Sequence, residues 1–283
     1  MIAARFSHSL ARLPVVAALA ALVSVGACRD DDTPTTAAAQ ATLAPARGSG
    51  PTPPAEVVIA RSTIPYQAEM VITDGSVSGT VVTSAPLRQR PPVPTGRDSL
   101  LCGREMADET VTQQGRSLGG VVVWLDDIRR GKSLPLERRL ELESNKCRLL
   151  PRVQAGVVGS AVNVLGHDAL RQHLYFLAGG EREARAMVLL DSDEQVIPTE
   201  RPFVGPGLVI VRDADRSWPT AYLAVFDHPY FAITAPDGSF SIDDIPPGRY
   251  TLRTWHERTK RSEQIVEVPG GGVAQLAITL SEQ

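Results

Sequence analysis

Residues 228–257, HPYFAITAPDGSFSIDDIPPGRYTLRTWHE, constrain the fold of this 283-residue chain more than any other stretch. Pro236-Asp237-Gly238 joins a preset φ to a residue that accepts positive φ, which marks a turn. Pro246-Pro247-Gly248 interrupts a second time, because proline has no N–H to give a strand ladder. Residues 230–234 are apolar and β-prone, and residues 239–242 alternate polar and apolar. Residues 249–256 alternate again, with Tyr250 and Leu252 on one face and Arg249, Thr251 and Arg253 on the other. The stretch therefore reads as a β-meander.

The chain between residues 66 and 283 repeats that pattern. Short apolar or alternating runs at 76–84, 121–125, 140–143, 153–155, 161–165, 173–177, 184–190, 207–212, 220–226, 265–268 and 274–280 are separated by Gly, Pro, Asn and Asp. Residues 86–94 read as a surface loop, 133–139 as a short helix or a loop, and Gly270-Gly271-Gly272 as the turn joining the last two strands within a sheet. Many short strands with frequent turns predict an all-β fold built as a pair of sandwiches.

The first 27 residues read as an export signal. Arg5 and Arg12 precede the apolar run 13–25, which is too short for a membrane span. Val25-Gly26-Ala27-Cys28 resembles a bacterial lipobox, so the Cys28 thiol is expected to carry a diacylglycerol; an ordinary secretory signal is the alternative. Arg29, where an inner-membrane retention signal would place Asp, favours the outer membrane. Residues 28–66 are rich in Ala, Thr and Pro, have too few large apolar groups to order themselves, and read as a disordered tether. An exported chain meets an oxidising compartment, so Cys102 and Cys147 are expected to form a disulfide; two buried free thiols are the alternative. A net charge of −3 gives no basic footprint for nucleic acid.

Two resemblances follow from these residues. Thr234, Asp237, Gly238, Phe240, Pro246, Pro247, Gly248, Tyr250, Leu252, Trp255 and His256 match the pattern of the carboxypeptidase regulatory-like module, a small prealbumin-type β-sandwich of the carbohydrate-binding-like group. That resemblance implies a non-catalytic module at 229–283, either a sandwich or a strand extension. The ordered series GGVVVWLDD, KCRLLPRV, NVLGHDALRQHLYF and 207–234 resembles exported cupredoxin-like proteins, which implies a Greek-key β-sandwich over 74–228. The family's copper pattern, carried over residue by residue, places His173 (after Asn163) at the first His and Trp218 at the Trp. Asp213 then falls at the Cys, Arg216 at the second His and Pro219 at the Met, while Arg152 stands where family members often carry His. A blue-copper centre needs a thiolate and two imidazoles, and arginine cannot ligate, so the domain is expected to be metal-free.

The remaining candidates are weaker. His167, His173, His228 and His256, with Asp168, Asp227 or Glu257, could hold copper or zinc without a thiolate if they cluster, which would allow metal binding or electron transfer. His256 and Glu257 are adjacent on a strand pattern and should point apart, so they make no acid–base pair. No nucleophile elbow, phosphate loop or zincin helix is present, and the acidic run at 191–194 lacks a calcium-loop spacing. Trp255 beside Arg253 is the best candidate for a sugar platform. The reading is a non-catalytic, lipid-anchored envelope protein, a binding or structural module with no cofactor, facing the periplasm or the cell surface. Its expected partner is an envelope protein or a glycan. Metal binding and carbohydrate binding are the alternatives.

Overall fold

The computed structural model describes residues 59, 64–179, 184–191, 195–199 and 203–283. The leader, Cys28, most of the tether and residues 192–194 of the acidic run lie outside them. Among the described residues no helix is long and apolar enough to cross a membrane.

Alternation and turn chemistry give strands throughout, in an all-β fold. In chain order the longer ones are β1 (Gly75–Thr83), β2 (Thr112–Gln114), β3 (Ser117–Gly119), β4 (Val122–Leu125), β5 (Arg139–Asn145) and β6 (Arg148–Leu150). They continue as β7 (Val153–Val157), β8 (Ala161–Gly166), β9 (Gln172–Ala178), β10 (Ala184–Leu190), β11 (Gln195–Pro198) and β12 (Gly207–Asp213). The last six are β13 (Thr220–Phe226), β14 (Phe231–Ile233), β15 (Ser239–Ile245), β16 (Gly248–Trp255), β17 (Ser262–Val268) and β18 (Val273–Leu280). A single-turn helix, α1 (Ser99–Cys102), lies between β1 and β2, and residues 133–138 form a loop.

The strands make two sandwiches. In the first, a sheet of order β15-β1-β3-β2, with β18 also paired to β1 in parallel, faces the antiparallel sheet β14-β4-β16-β17. Val77, Val81, Leu118, Val123, Leu125, Tyr230, Phe240 and Leu252 fill the space between them. In the second, the sheet β6-β5-β8-β11 faces β7-β13-β12-β9-β10 around Leu142, Val162, Val164, Leu174, Phe176, Val211 and Leu223.

A third apolar layer joins the sandwiches. Along β4, Val123 and Leu125 point into the first core, while Val122 and Trp124 point outward. Along β13, Ala221, Leu223 and Val225 point into the second core, while Tyr222, Ala224 and Phe226 point outward. The outward faces meet each other together with Trp255 and Leu208. Phe226 stacks on Phe231 with ring centroids 4.8 Å apart, and Tyr222 meets Trp255 edge-on at 5.0 Å. These two strands are buried on both faces, which is why they read as unbroken apolar runs rather than alternating ones.

The strand pairing departs from the division at residue 228. β1 and β4 hydrogen-bond to β15, β18, β14 and β16, so residues 75–125 complete the sandwich that residues 229–283 begin. The reason is that 229–283 supplies strands to both layers, and each layer needs a partner strand to satisfy its backbone. Likewise the turn at 270–272 carries the chain from β17 in one sheet to β18 in the other, instead of joining them within one sheet. The tether boundary at 66 also moves, because Ile59 is 7% exposed and packs in the joining layer.

The motif residues of the meander each have a local duty. Asp237 accepts hydrogen bonds from the Ser239 N–H at 3.0 Å and hydroxyl at 2.7 Å. Gly238 adopts φ +80°, and a Cβ there would sit 2.4 Å from the Val81 carbonyl oxygen. Thr234 Oγ1 donates to the Leu118 carbonyl at 2.8 Å and accepts from the Val121 N–H at 2.9 Å. Tyr250 donates its hydroxyl to the Pro246 carbonyl at 2.8 Å.

Candidate functional site

The positions that the copper pattern marks do gather, at the end of β12. Asp213 closes that strand, and the chain turns there because Asp213 Oδ1 accepts the Asp215 N–H at 2.8 Å. Arg216 then folds back. Its Nη1 donates to Asp213 Oδ2 at 2.9 Å and to the Arg171 carbonyl at 3.0 Å, and its Nε donates to Asp98 Oδ2 at 2.8 Å. Both Arg216 and Asp213 are buried. Burial alone would lower the Arg216 pKa, but the hydrogen bonds it donates to Asp98 and Asp213 outweigh that and raise the pKa above its ordinary value.

Asp98 reaches Arg216 from far along the chain, and a disulfide secures it. Asp98 immediately precedes α1, which ends at Cys102, and Cys102 is bonded to Cys147 with Cα atoms 5.6 Å apart. Cys147 lies in the two-residue turn between β5 and β6, where Lys146 and Cys147 have φ of +52° and +61°. The Cys147 N–H donates to Asp168 Oδ2 at 2.9 Å, and its carbonyl accepts the Trp218 indole N–H at 3.2 Å.

This donor set does not fit blue copper. At the positions where the copper pattern has Cys, His and Met, this chain has a carboxylate committed to an ion pair, a guanidinium that can only donate, and the ring of Pro219. His173 is half-exposed, with Nδ1 3.4 Å from Asp215 Oδ2.

The other histidines do not converge with it. His228 Nδ1 accepts the Tyr230 N–H at 3.2 Å, and its ring sits among Tyr66, Phe226 and Tyr230. Burial, aided by the charge of Arg129, pushes its pKa down to about 3. His256 Nδ1 accepts the Arg258 N–H at 3.2 Å; burial, then the charges of Arg152 and Arg258, push its pKa down to about 4. His167 donates its backbone N–H to the Ser144 carbonyl at 2.9 Å. Among the described residues, no three His, Cys, Asp or Glu side chains form a group that could hold a metal ion.

The sugar platform does not form. Trp255 is 3% exposed because its ring packs into the joining layer against Tyr222, so neither face is open to a sugar. Arg253 lies 3.3 Å from Asp126 and 3.1 Å from Glu263. Glu257 binds Arg152 and accepts the Tyr222 hydroxyl at 3.2 Å, whereas His256 is held by its own turn.

What the structure adds is a cleft of about 650 Å³ that runs from the disulfide to the seam between the sandwiches. Its wall includes Trp218, Pro219, Tyr222, Arg212 and the Arg152–Glu257 pair. Arg152 and Glu257 form two parallel contacts, Nε to Oε1 at 2.7 Å and Nη2 to Oε2 at 2.9 Å. Also in the lining, Arg148 Nε lies 2.7 Å from Glu109 Oε1, and Asp108 is bound at 3.1 Å by Arg258 from outside it. Burial would raise the Asp108 pKa, but hydrogen bonds from Thr110 and the Arg90 N–H overcome it and hold the carboxyl below the usual range. Sequence reasoning missed Asp98, Asp108 and Arg258, because their partners lie far away in the chain and leave no local pattern; it also passed over Arg212, which lies near the end of a strand with no motif around it.

No family model and no curated protein matches the chain. Solved structures do. A Cu-containing nitrite reductase from Thermus scotoductus is 15% identical over 35% of this chain and 24% of its own length, with a TM-score of 0.28. A mutant of amicyanin in the Cu(I) state is 16% identical over 32% of this chain and 85% of its own, with a TM-score of 0.27. A second amicyanin mutant, reduced Cu(I) at pH 4, is 16% identical over the same shares, with a TM-score of 0.26. The chain thus spans about a quarter of the nitrite reductase.

Proposed function

We propose that this protein is an exported, lipid-anchored envelope protein that acts as a non-catalytic binding module and does not use copper. In this reading residues 133–228 form a cupredoxin-like sandwich whose metal position has become structural. The sandwich built from 75–125 and 229–283 is of the regulatory-like kind. One observation carries the proposal: the Arg216 guanidinium lies buried between Asp98 and Asp213, where copper chemistry would need an imidazole and a thiolate. Cys28 would supply the membrane attachment, and the lipobox residues before it support that role.

The test is labelling and metal content on one preparation. Cells fed an alkyne-tagged fatty acid should yield labelled wild-type protein in the membrane fraction, and Cys28→Ala should be unlabelled. The purified protein should hold far less than one copper per chain. Unlabelled wild type, or stoichiometric copper, would contradict the proposal.

A further inference from the structure

Five arginines line the cleft at the seam, and three of them are held in ion pairs with its carboxylates. Asp213, Glu257 and Glu109 on its walls are matched by Arg216, Arg152 and Arg148. Asp108, the fourth carboxylate, is matched by Arg258, which stands outside the lining. Arg212 and Arg90 are left, and neither guanidinium has a carboxylate within ion-pair distance among the described residues. Arg212 is half-buried near the end of β12, a strand held on both sides by β9 and β13. Its backbone is thus held by a rigid element at the wall of a concave space, and its guanidinium can offer a fork of donors there. Arg90 stands exposed on the loop at the mouth. The Trp218 indole N–H is already committed to the Cys147 carbonyl, so its half-buried ring offers apolar surface to the cleft. The volume is in the range of small-molecule sites, roughly 300–1,000 Å³.

We infer that this cleft binds a small ligand through a carboxylate or phosphate group, which Arg212 grips in two-point fashion and Arg90 attracts at the rim. The inference rests on reading the protein as a binding module, and it names the chemistry of the ligand. The ligand's remaining atoms lie against Trp218.

The test is calorimetric titration of the full chain in detergent at low ionic strength, with inorganic phosphate in one arm and D-glucuronate in the other. Saturable binding of either probe is expected, with Arg212→Gln weakening it at least tenfold and Arg212→Lys weakening it less. Binding of phosphate alone assigns a phosphorylated ligand, and binding of glucuronate alone assigns a carboxylated one. Arg139→Gln, at an exposed site on β5, should bind as wild type does. Arg212 makes no ion pair among the described residues, so its variants should melt close to wild type; if Arg212→Gln fails to fold, Arg212→Lys and Arg90→Gln decide. The inference is overturned if neither probe binds, or if binding survives unchanged in the Arg212 variants. It is also overturned if Arg139→Gln loses binding equally. Cys28 labelling and copper content on the same sample keep the two proposals apart. Labelled, copper-free protein that binds neither probe sinks the anion site alone.

Discussion

Arg152 and Glu257, 105 positions apart, form a two-point ion pair that ties the second sandwich to the first, next to the joining apolar layer. Arg152 Nη1 also donates to the Thr220 carbonyl at 2.9 Å, and Glu257 accepts the Tyr222 hydroxyl. Burial alone would lower the Arg152 pKa, but the bond to Glu257 outweighs it and raises it. Removing one partner strands the other in a water-poor site. Arg152→Met and Glu257→Gln are each expected to cost about 3 kcal/mol, and the double variant clearly less than the sum. Urea denaturation of the three variants measures this; additive losses would show that the pair does not act as a unit.

Thr234 tests whether the meander's motif is structural. Its buried hydroxyl serves two backbone groups at once, the Val121 N–H and the Leu118 carbonyl. Thr234→Val keeps the shape and removes both bonds, so a loss of about 2 kcal/mol is expected, read as a lower denaturation midpoint at unchanged slope. A change within 0.5 kcal/mol (about a tenth of a small domain's stability) would leave the motif unexplained.

The buried histidines set the acid limb of stability. Both native pKa values, about 3 for His228 and about 4 for His256, lie below the usual 6.5. Between pH 6.5 and those values the unfolded chain takes up protons that the native chain refuses, so stability falls as pH falls. By pH 4 His256 alone should remove about 3 kcal/mol. Tm measured from pH 7 to 4.5 should drop steeply in wild type and less steeply in His256→Gln. Parallel curves would contradict the assignment.

The disulfide closes a loop of 45 residues. By chain entropy it should contribute about 4 kcal/mol. Reduction also releases α1, and with it Asp98, from beside Arg216. Denaturation with and without reductant should differ by at least that entropic amount in wild type. It should differ negligibly in a Cys102→Ser, Cys147→Ser double variant.

Much of the fold was legible because strand content depends on local alternation and turns. The meander, β7–β10, β12 and β13 all lie near where the pattern put them. Their assignment to sandwiches was not legible. Val77 and Val81 show that β1 has an apolar face, but nothing local says that the face covers Leu252 rather than Leu223. The candidate site divides in the same way. Cys102 and Cys147 were readable as an even pair, and Asp213 and Arg216 from the register that Trp218 sets. Asp98, 118 positions from Arg216, was not, since it sits among Pro-rich loop residues and acquires a meaning only through the disulfide beside it. Trp255 misled because aromatic residues serve equally as platforms and as packing, and only the neighbouring sheet decides which.

The proposal that the Asp98–Arg216–Asp213 ion network stands where a copper site would be is tested most directly by titrating Cu(II) into the purified protein and recording visible absorption and Tm together. The account predicts no intense thiolate-to-copper band and no copper-dependent rise in Tm, in wild type and in Arg216→His alike, because no thiolate is available at position 213. An intense band in wild type, with a rise in Tm that saturates at one copper per chain, would contradict it.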